Sequence, residues 1–142
     1  AIAMAQGWAI GRGARLRGVD TPGCLAAQAH AQGFRGMIEV VIDAQRGEFY
    51  LEGFALDEAG WHRSAPLRLA GFEVLSQRSG AGVLLIGPET LPQEVPVTVF
   101  VPDAAVVAQL AAVGAGFVEP AALEPIYLRE PQFVKAPPAR TW

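Results

Sequence analysis

The fold is decided by one stretch of the sequence, Asp43-Ala-Gln-Arg-Gly-Glu-Phe-Tyr50. An apolar, β-branched run over 37–42 precedes it and a second run follows, a pattern that predicts two strands joined by a tight turn. Gly47 can supply positive φ in this turn, and Asp43 can accept turn amides where an unpaired carboxylate would be costly. Arg46 is then expected at the tip, pointing outward. Two interpretations stay open: a turn capped by Asp43, or an Arg46 charge offered to a partner or to a partner's nucleotide.

The elements after the turn predict an α/β domain. Residues 61–69 can return as a third strand and complete an antiparallel meander. The resulting order, β-β-β-α-β-β-α, is close to that of an RNase H-like lobe with a mixed sheet, although no helix is visible between Ile86 and Val97. The remaining predicted elements are a helix over 71–78, a strand over 83–86, a strand over 97–101, and a helix that Pro102-Asp103 opens and Gly114 ends, with Val106, Val107, Leu110 and Val113 on its apolar face.

The start of the chain predicts two helices with a short strand between them. The first helix, over 1–13, is built of small residues with Ile2, Met4 and Trp8 as its larger contacts. Because it opens without a capping residue, we expect that residues are missing upstream. The other predicted features are a strand over 16–19, an N-cap at Thr21 with Pro22 in the first turn, a helix that turns Cys24, Leu25 and Ala29 inward, and a stop at Gly33.

Composition favours an interaction protein. The chain has 142 residues, of which 51% are hydrophobic and only 18% charged, so we expect apolar surface to be covered by another lobe, a subunit or a partner. The net charge of −3 argues against direct strong nucleic-acid binding, which normally needs a basic patch. A single cysteine fits a reducing cytoplasm. The longest run of large apolar side chains, 83–86, is too short for a membrane span, which needs about 20 residues.

No catalytic constellation is visible in the sequence. The two histidines and one cysteine are well separated, which disfavours a metal site. Cys24 and His30 are six residues apart and do not stack on one helical face. The Gly-x-Gly pairs at 80–82 and 114–116 lack a third glycine, and Lys135, the only lysine, follows neither of them. The residues therefore predict no catalytic group, no metal and no cofactor.

Several motifs, taken together and in order, resemble the bacterial TsaB family, also called YeaZ. The opening stretch resembles the family motif D-A-R-x-G-E-V-Y, with Gln45 in place of the arginine. The other matches are Ala5-Gln-Gly-Trp-Ala-Ile10 followed by Leu16-Arg-Gly-Val-Asp-Thr21, the helix start Val101-Pro-Asp-Ala104, and the closing segment Leu123-Glu-Pro-Ile-Tyr-Leu-Arg129. The match is patchy over 55–100, and the N-terminal lobe of the family, with its G-P-G-S-F-T-G-L-R loop, is absent.

This resemblance implies a fold and a division of the chain. TsaB proteins are actin-like, of the ASKHA fold, with two RNase H-like lobes. Residues 1–34 would then be the end of the N-terminal lobe, residues 35–129 the C-terminal lobe, and residues 130–142 an extended, proline-rich tail.

The resemblance also implies a role. A TsaB protein is a non-catalytic scaffold that pairs with TsaD, the enzyme that transfers a threonylcarbamoyl group to adenosine in tRNA, and the ATPase TsaE joins them. It further implies a cytoplasmic location and allows a homodimer. The residues at the family motifs, and so the expected partner-binding residues, are Asp43, Arg46, Gly47, Glu48, Tyr127 and Arg129. The alternative is an ASKHA-superfamily enzyme, kinase-like or a hydrolase, that acts with the missing lobe.

Overall fold

A five-stranded mixed sheet organises the chain in a computed structural model that describes residues 2–91, 95–114 and 116–128. The mixed α/β class expected from the sequence is confirmed. No helix within these ranges has the length and hydropathy to span a bilayer. The strands are β1 (Gly36–Asp43), β2 (Glu48–Leu56), β3 (Trp61–Gly71), β4 (Leu84–Gly87) and β5 (Thr98–Val99); the helices are α1 (Ile2–Arg12), α2 (Thr21–Ala31), α3 (Phe72–Gly80) and α4 (Ala104–Val113), and a 3-10 turn covers Pro120–Ala122.

The strands lie in the order β3-β2-β1-β4-β5. β1 pairs antiparallel with β2, from Gly36 opposite Leu56 to Asp43 opposite Phe49, and β3 pairs antiparallel with β2 on its other side. β4 lies parallel to β1, and β5 lies parallel to β4. The predicted three-stranded meander is therefore confirmed. Its one irregularity is a register shift around Gly53, where an added Cβ would lie 2.9 Å from the Cβ of Ala65.

Each face of the sheet is covered by a helix. Successive side chains of a strand point to opposite faces, so β1 supplies both layers. Ile38 and Val40 pack in the layer of α2, and Val41 packs in the layer of α3; each is 1% exposed. The strand predicted over 37–42 is confirmed, and within it Met37 is 58% exposed. The α2 layer also contains Leu25, Ala26, Ala29, Phe54, Leu56, Ile86 and Phe100, and the α3 layer also contains Phe49, Leu51, Ala70, Leu75, Leu85, Leu91 and Val95.

Two predicted strands are shorter than the sequence suggests. The predicted strand over 16–19 is reduced to a single antiparallel bridge between Leu16 and Val118. The predicted strand over 97–101 is reduced to the two residues of β5. Between β4 and β5 the described residues form no helix, as the sequence indicates.

The start of α2 differs by one residue from the prediction. Asp20, not Thr21, is the N-cap: its backbone is extended and its Oδ1 accepts a hydrogen bond from the amide of Gly23 at 2.7 Å. Aspartate and threonine both cap well, so adjacent candidates are hard to separate by residue type alone. Pro22 lies in the first turn and Gly33 follows the helix with φ of 90°, both as expected.

The outer helices are less buried than predicted. In α1, Met4 and Trp8 were expected to make the larger contacts, yet they are 77% and 69% exposed. In α4 no residue is buried, although its apolar spacing predicts a core-facing stripe. Val113, the last member of that stripe, is 85% exposed. Asp103 caps α4 by accepting from the amide of Ala105, and Gly114 ends it, as predicted.

Candidate partner-binding site

The hairpin turn between β1 and β2 is held by Asp43. Its Oδ1 accepts from the backbone amide of Gln45 at 2.7 Å, and its Oδ2 accepts from the Gln45 side chain at 3.1 Å. The turn closes with a hydrogen bond from the amide of Ala44 to the carbonyl of Glu48 at 2.9 Å. The capping role predicted for Asp43 is confirmed.

Three consecutive residues in this turn have positive φ. Gly47 was expected to do so, and its φ is 75°; Gln45 and Arg46 do so as well, at 65° and 61°. A left-handed conformation costs a residue with a Cβ roughly 1–2 kcal/mol, because the Cβ approaches the following carbonyl oxygen. The surrounding hydrogen bonds must hold this conformation, which presents the exposed Arg46 side chain at the tip of the hairpin. The outward position predicted for Arg46 is therefore observed.

The second predicted motif lies in the segment that follows the 3-10 turn. Tyr127 is 77% exposed, and its neighbour Ile126 is 57% exposed. This segment is tied to α1, because the side-chain amide of Gln6 donates to the carbonyls of Pro120 at 2.7 Å and Leu123 at 3.2 Å. Arg129 and the predicted tail 130–142 lie outside the described residues.

A groove of about 540 Å³ is lined by residues from both motifs. Ile42 and Tyr50, at the base of the hairpin, contribute to it, and so do Pro125 and Ile126, just before Tyr127. About 80 positions separate the two segments in the sequence, and the predicted residues at the tip of the hairpin and Tyr127 are not among the described lining residues. The other lining residues are Ile2, Gly18, Val19, Asp20, Thr21, Pro22, Leu67, Leu123 and Glu124.

The groove is apolar with an acidic rim. Among the residues that the structure describes, its lining includes two carboxylates, Asp20 and Glu124, and no lysine or arginine. Glu124 is exposed and has no ion-pair partner among the described residues. Phosphate groups are normally held by arginine, lysine or backbone amides. Of these, the described lining offers only backbone at the start of α2, at Thr21 and Pro22.

Asp20 belongs to a charge network that ties α2 to the sheet. Arg63 on β3 donates from Nη2 to Asp20 and from Nε to Glu52 at 2.7 Å; Glu52 is only 5% exposed. Burial lowers the pKa of the Arg63 guanidinium, but the hydrogen bond to Glu52 and the charge of Asp20 outweigh it, so its pKa lies above the ordinary value. Two carboxylates share one arginine, so the cluster keeps a formal charge of about −1 near the groove.

A second buried glutamate lies on the opposite face of the sheet. Glu39 on β1 is 5% exposed and receives hydrogen bonds from Arg78 of α3 at 3.0 Å. These bonds and the charge of Glu39 raise the pKa of the Arg78 guanidinium. The two arginines that satisfy the buried glutamates are themselves partly exposed. The Arg78–Glu39 pair joins α3 to β1, whereas the Arg63–Glu52 pair joins β3 to β2. Both have a structural role.

The side chains outside the groove that could bind a metal ion or react as a nucleophile are dispersed. Within the described ranges, no three His, Cys, Asp or Glu side chains come together in a way that could hold a metal ion. Burial raises the pKa of the Cys24 thiol, which disfavours the reactive thiolate. His30 lies at the end of α2, where its Nε2 is 2.9 Å from the carbonyl oxygen of Asp57. Cys24 and His30 therefore lie in surroundings typical of structural residues.

The groove itself was not predicted from the sequence. Leu67, Asp20 and Glu124 were not singled out, because each lies in a separate segment and only the folded chain brings them together. The exposure of three large apolar side chains on α1, Met4, Trp8 and Ile10, was also missed. The one available signal was the high apolar fraction with few charges, which indicates uncovered surface but does not locate it.

The fold and the site define an α/β protein with a mixed sheet and an apolar surface groove. No protein-family model matches the sequence, and no curated protein matches it either. Two solved structures match over 90% of this chain: YeaZ from Pseudomonas aeruginosa, at 22% identity with a TM-score of 0.70, and an uncharacterized protein with similarity to peptidase YEAZ from Pseudomonas aeruginosa, at 21% identity with a TM-score of 0.69. The chain spans only 66% and 65% of those two chains. The similarity to YeaZ that the sequence motifs predict is confirmed for the fold.

Proposed function

We propose that this chain is part of a non-catalytic scaffold subunit that binds TsaD in the complex that makes N6-threonylcarbamoyladenosine in tRNA. The observation that carries the proposal is the similarity of fold to YeaZ over 90% of the chain, together with a groove lined by residues from two of the family motifs. TsaE, a second copy of the protein and a cytoplasmic location belong to the same proposal.

The finer description of the fold is also a proposal. An RNase H-like sheet has three antiparallel strands followed by two parallel ones that extend the sheet beside the first strand, and the order β3-β2-β1-β4-β5 fits that description. We assign residues 35–129 to the C-terminal actin-like lobe and residues 1–34 to the end of the N-terminal lobe. α1 and α2 would then belong to the first lobe, and the sheet to the second.

The character of the groove supports a scaffold over an enzyme. In an ASKHA enzyme the cleft beside the first hairpin would have to accept a nucleotide with its phosphates. Here the lining, as far as the structure describes it, carries Asp20 and Glu124 and no cationic side chain. Charged phosphates next to two carboxylates would be repelled. An apolar groove beside exposed apolar residues is more typical of a protein interface.

Within the scaffold proposal, the hairpin carries the contact. Asp43 and Gly47 fix the turn, and Arg46 presents its charge to TsaD or to a nucleotide held by TsaD. Glu48 starts β2 beside the turn, and Tyr127 supplies an exposed aromatic surface next to Ile126, which lines the groove. Tyrosine and arginine are enriched where interfaces gain most of their binding energy.

Sedimentation velocity of the whole protein with its cognate TsaD tests the proposal. We expect a complex at micromolar concentrations, and absence of one would contradict the scaffold role. Arg46→Glu should raise the dissociation constant about tenfold or more, which is about 1.4 kcal/mol. The matched control is Arg35→Glu, an exposed arginine just before the other end of β1, about 25 Å away at the rise of a strand. Equal effects of the two variants would remove Arg46 from the interface.

The second candidate is an ASKHA-superfamily enzyme, kinase-like or a hydrolase, and the strand order favours it as well, because those enzymes would share this sheet. It predicts that the whole protein binds ATP with magnesium. Isothermal titration calorimetry that detects this binding, with loss of the signal in an Arg46→Ala variant, would favour the enzyme. No heat of binding at millimolar ATP would exclude this candidate.

A further inference from the structure

α1 is fastened to residues 116–128 more than to the sheet. The side-chain amide of Gln6 donates to two carbonyls of that segment, at 2.7 and 3.2 Å. Leu16, which follows α1, forms the antiparallel bridge with Val118 and accepts a hydrogen bond from its amide at 2.8 Å. The 3-10 turn in the same segment is the element on which α1 packs most closely. These contacts make one body of α1 and residues 116–128, which we call the α1 unit.

The helices α2, α3 and α4 form a second body with the five strands, which we call the sheet body. α2 covers one face of the sheet, and Gln28 of α2 fixes the start of α4. The Gln28 side chain donates to the carbonyl of Val101 at 2.9 Å and accepts from the amide of Asp103, the N-cap of α4, at 3.3 Å. A contact made to α4 is therefore a contact to the sheet body.

The groove is lined by residues from both bodies. The α1 unit contributes Ile2 and residues 123–126, and the sheet body contributes Ile42 and Tyr50 among others. A rotation of one body relative to the other would therefore change the width of the groove without unfolding either body. Hinges of this kind are a few residues between elements that absorb a change of backbone angles. The connection from α1 to α2 contains Gly13, whose φ is 64°.

Arg17, on the same connection, bridges the two bodies. Its neighbour Leu16 is paired with the α1 unit, whereas the Nη1 of Arg17 donates to the carbonyl of Ala111 in the last turn of α4, at 3.3 Å. The last carbonyls of a helix have no partner within the helix, and they carry a partial negative charge that favours a cation. α4 has no basic residue in its own last turn. Arg17 therefore supplies that cation from 94 positions away in the sequence.

Gly114 leaves the space in which this arginine lies. A Cβ at this position would overlap the Arg17 guanidinium. The backbone of Gly114 has φ of −101° and ψ of 158°, an extended conformation that any residue can adopt. The glycine that ends α4 is thus required by the side chain of Arg17 and not by its own backbone. This fit indicates a specific seat for the guanidinium at the end of α4.

We propose that Arg17 is a clasp that holds the α1 unit against α4 and thereby fixes the width of the groove. While the guanidinium lies at the end of α4, the two bodies keep one relative orientation. When it is released, the α1 unit turns about the connection through Gly13. A hydrogen bond from a charged donor is roughly twice as strong as a neutral one, so its loss shifts such an equilibrium. The clasp is a property of the isolated chain and does not depend on TsaD.

Double electron–electron resonance of the full chain tests the clasp. Nitroxide labels at Ala121→Cys in the α1 unit and His62→Cys on β3 report the orientation of the two bodies; both positions are exposed, and the native Cys24 is 1% exposed and should not react. We expect Arg17→Ala to raise the population of a second label-to-label distance about tenfold, which is equivalent to about 1.4 kcal/mol. Arg12→Ala, the matched control, removes an exposed arginine at the end of α1 and should leave the distance distribution unchanged.

Substitution of Gly114 separates the clasp from a general loss of structure. Gly114→Ala places a methyl group in the seat of Arg17 and should produce the same second distance. Combined with Arg17→Ala it should add nothing, because the side chain that it displaces is already absent. The Val118 amide, bonded inside the α1 unit, should exchange with deuterium as slowly in these variants as in the unmodified chain. An unchanged distance distribution in either single variant, an equal change in Arg12→Ala, additive effects in the double variant, or faster exchange of Val118 would overturn the proposal.

Discussion

The sheet and the outer helices are both rich in apolar side chains, yet they differ in what covers them. On β1, Ile38, Val40 and Val41 are each 1% exposed, because α2 and α3 close the two faces. On α1, Met4 and Ile10 are both 77% exposed. The same chemistry that stabilises the sheet is left in contact with solvent on the helix. The difference indicates that the sheet can support itself, whereas α1 and the groove offer surface to another group.

The largest expected effect comes from truncating one buried side chain of the sheet and comparing it with the truncation of one exposed side chain of α1. Phe54 is fully buried in the α2 layer and packs edge-on against Trp61 at 5.8 Å. Phe54→Ala should lower the free energy of unfolding by about 3–5 kcal/mol, since it removes apolar contacts and leaves a cavity. Met4→Ala is the matched control and should change it by about 0.5 kcal/mol or less. Urea titration followed by circular dichroism measures both, and similar losses would show that α1 is as well packed as the sheet.

The next test concerns the charge network between α2 and the sheet. Glu52→Gln keeps the size of the side chain but leaves the Arg63 guanidinium with Asp20 as its remaining charged partner. We expect a loss of about 1–2 kcal/mol, below the value for a fully buried pair because Arg63 is 46% exposed. A double-mutant cycle with Arg63→Met, read by urea unfolding, gives the coupling. A coupling near zero would mean that the Glu52–Arg63 pair does not stabilise the pairing of β2 with β3.

The smallest expected effects come from substitutions in the hairpin turn. Gly47→Ala places a Cβ on a residue with φ of 75° and should destabilise the protein by about 1 kcal/mol. Arg46→Gly removes a Cβ from the same left-handed stretch and should stabilise it by about 0.5–1 kcal/mol while it removes the outward charge. Thermal unfolding of the two variants would show opposite shifts. If both destabilise, the turn conformation described for this hairpin is wrong.

The central fold could be predicted from the sequence because its signals are local. The β-branched run before Asp43 and the turn residue Gly47 specify a hairpin, and both are confirmed. The short strand at Leu16 and the reduced β5 were over-predicted, because apolar residues alone do not supply pairing partners. A strand needs a neighbour, which only the tertiary structure decides.

The candidate site could be predicted only in part. Asp43 and Arg46 were identified from the hairpin, and Tyr127 from the closing motif. The groove depends on Asp20, Leu67 and Glu124, which come from three separate segments. No local pattern marks such a meeting of segments. The exposure of α1 could not be predicted either, because its pattern of small residues is equally typical of a helix that packs against a neighbour.

Hydrogen–deuterium exchange of the whole protein with and without its cognate TsaD tests the central claim most directly. If the hairpin and the groove form the interface, residues 43–50 and 123–128 should exchange more slowly in the complex, by about tenfold at saturation for each 1.4 kcal/mol of added protection. The exposed end of α4, at Val113, should exchange at an unchanged rate. Protection confined to α4, or a complex that leaves both segments unprotected, would contradict the account.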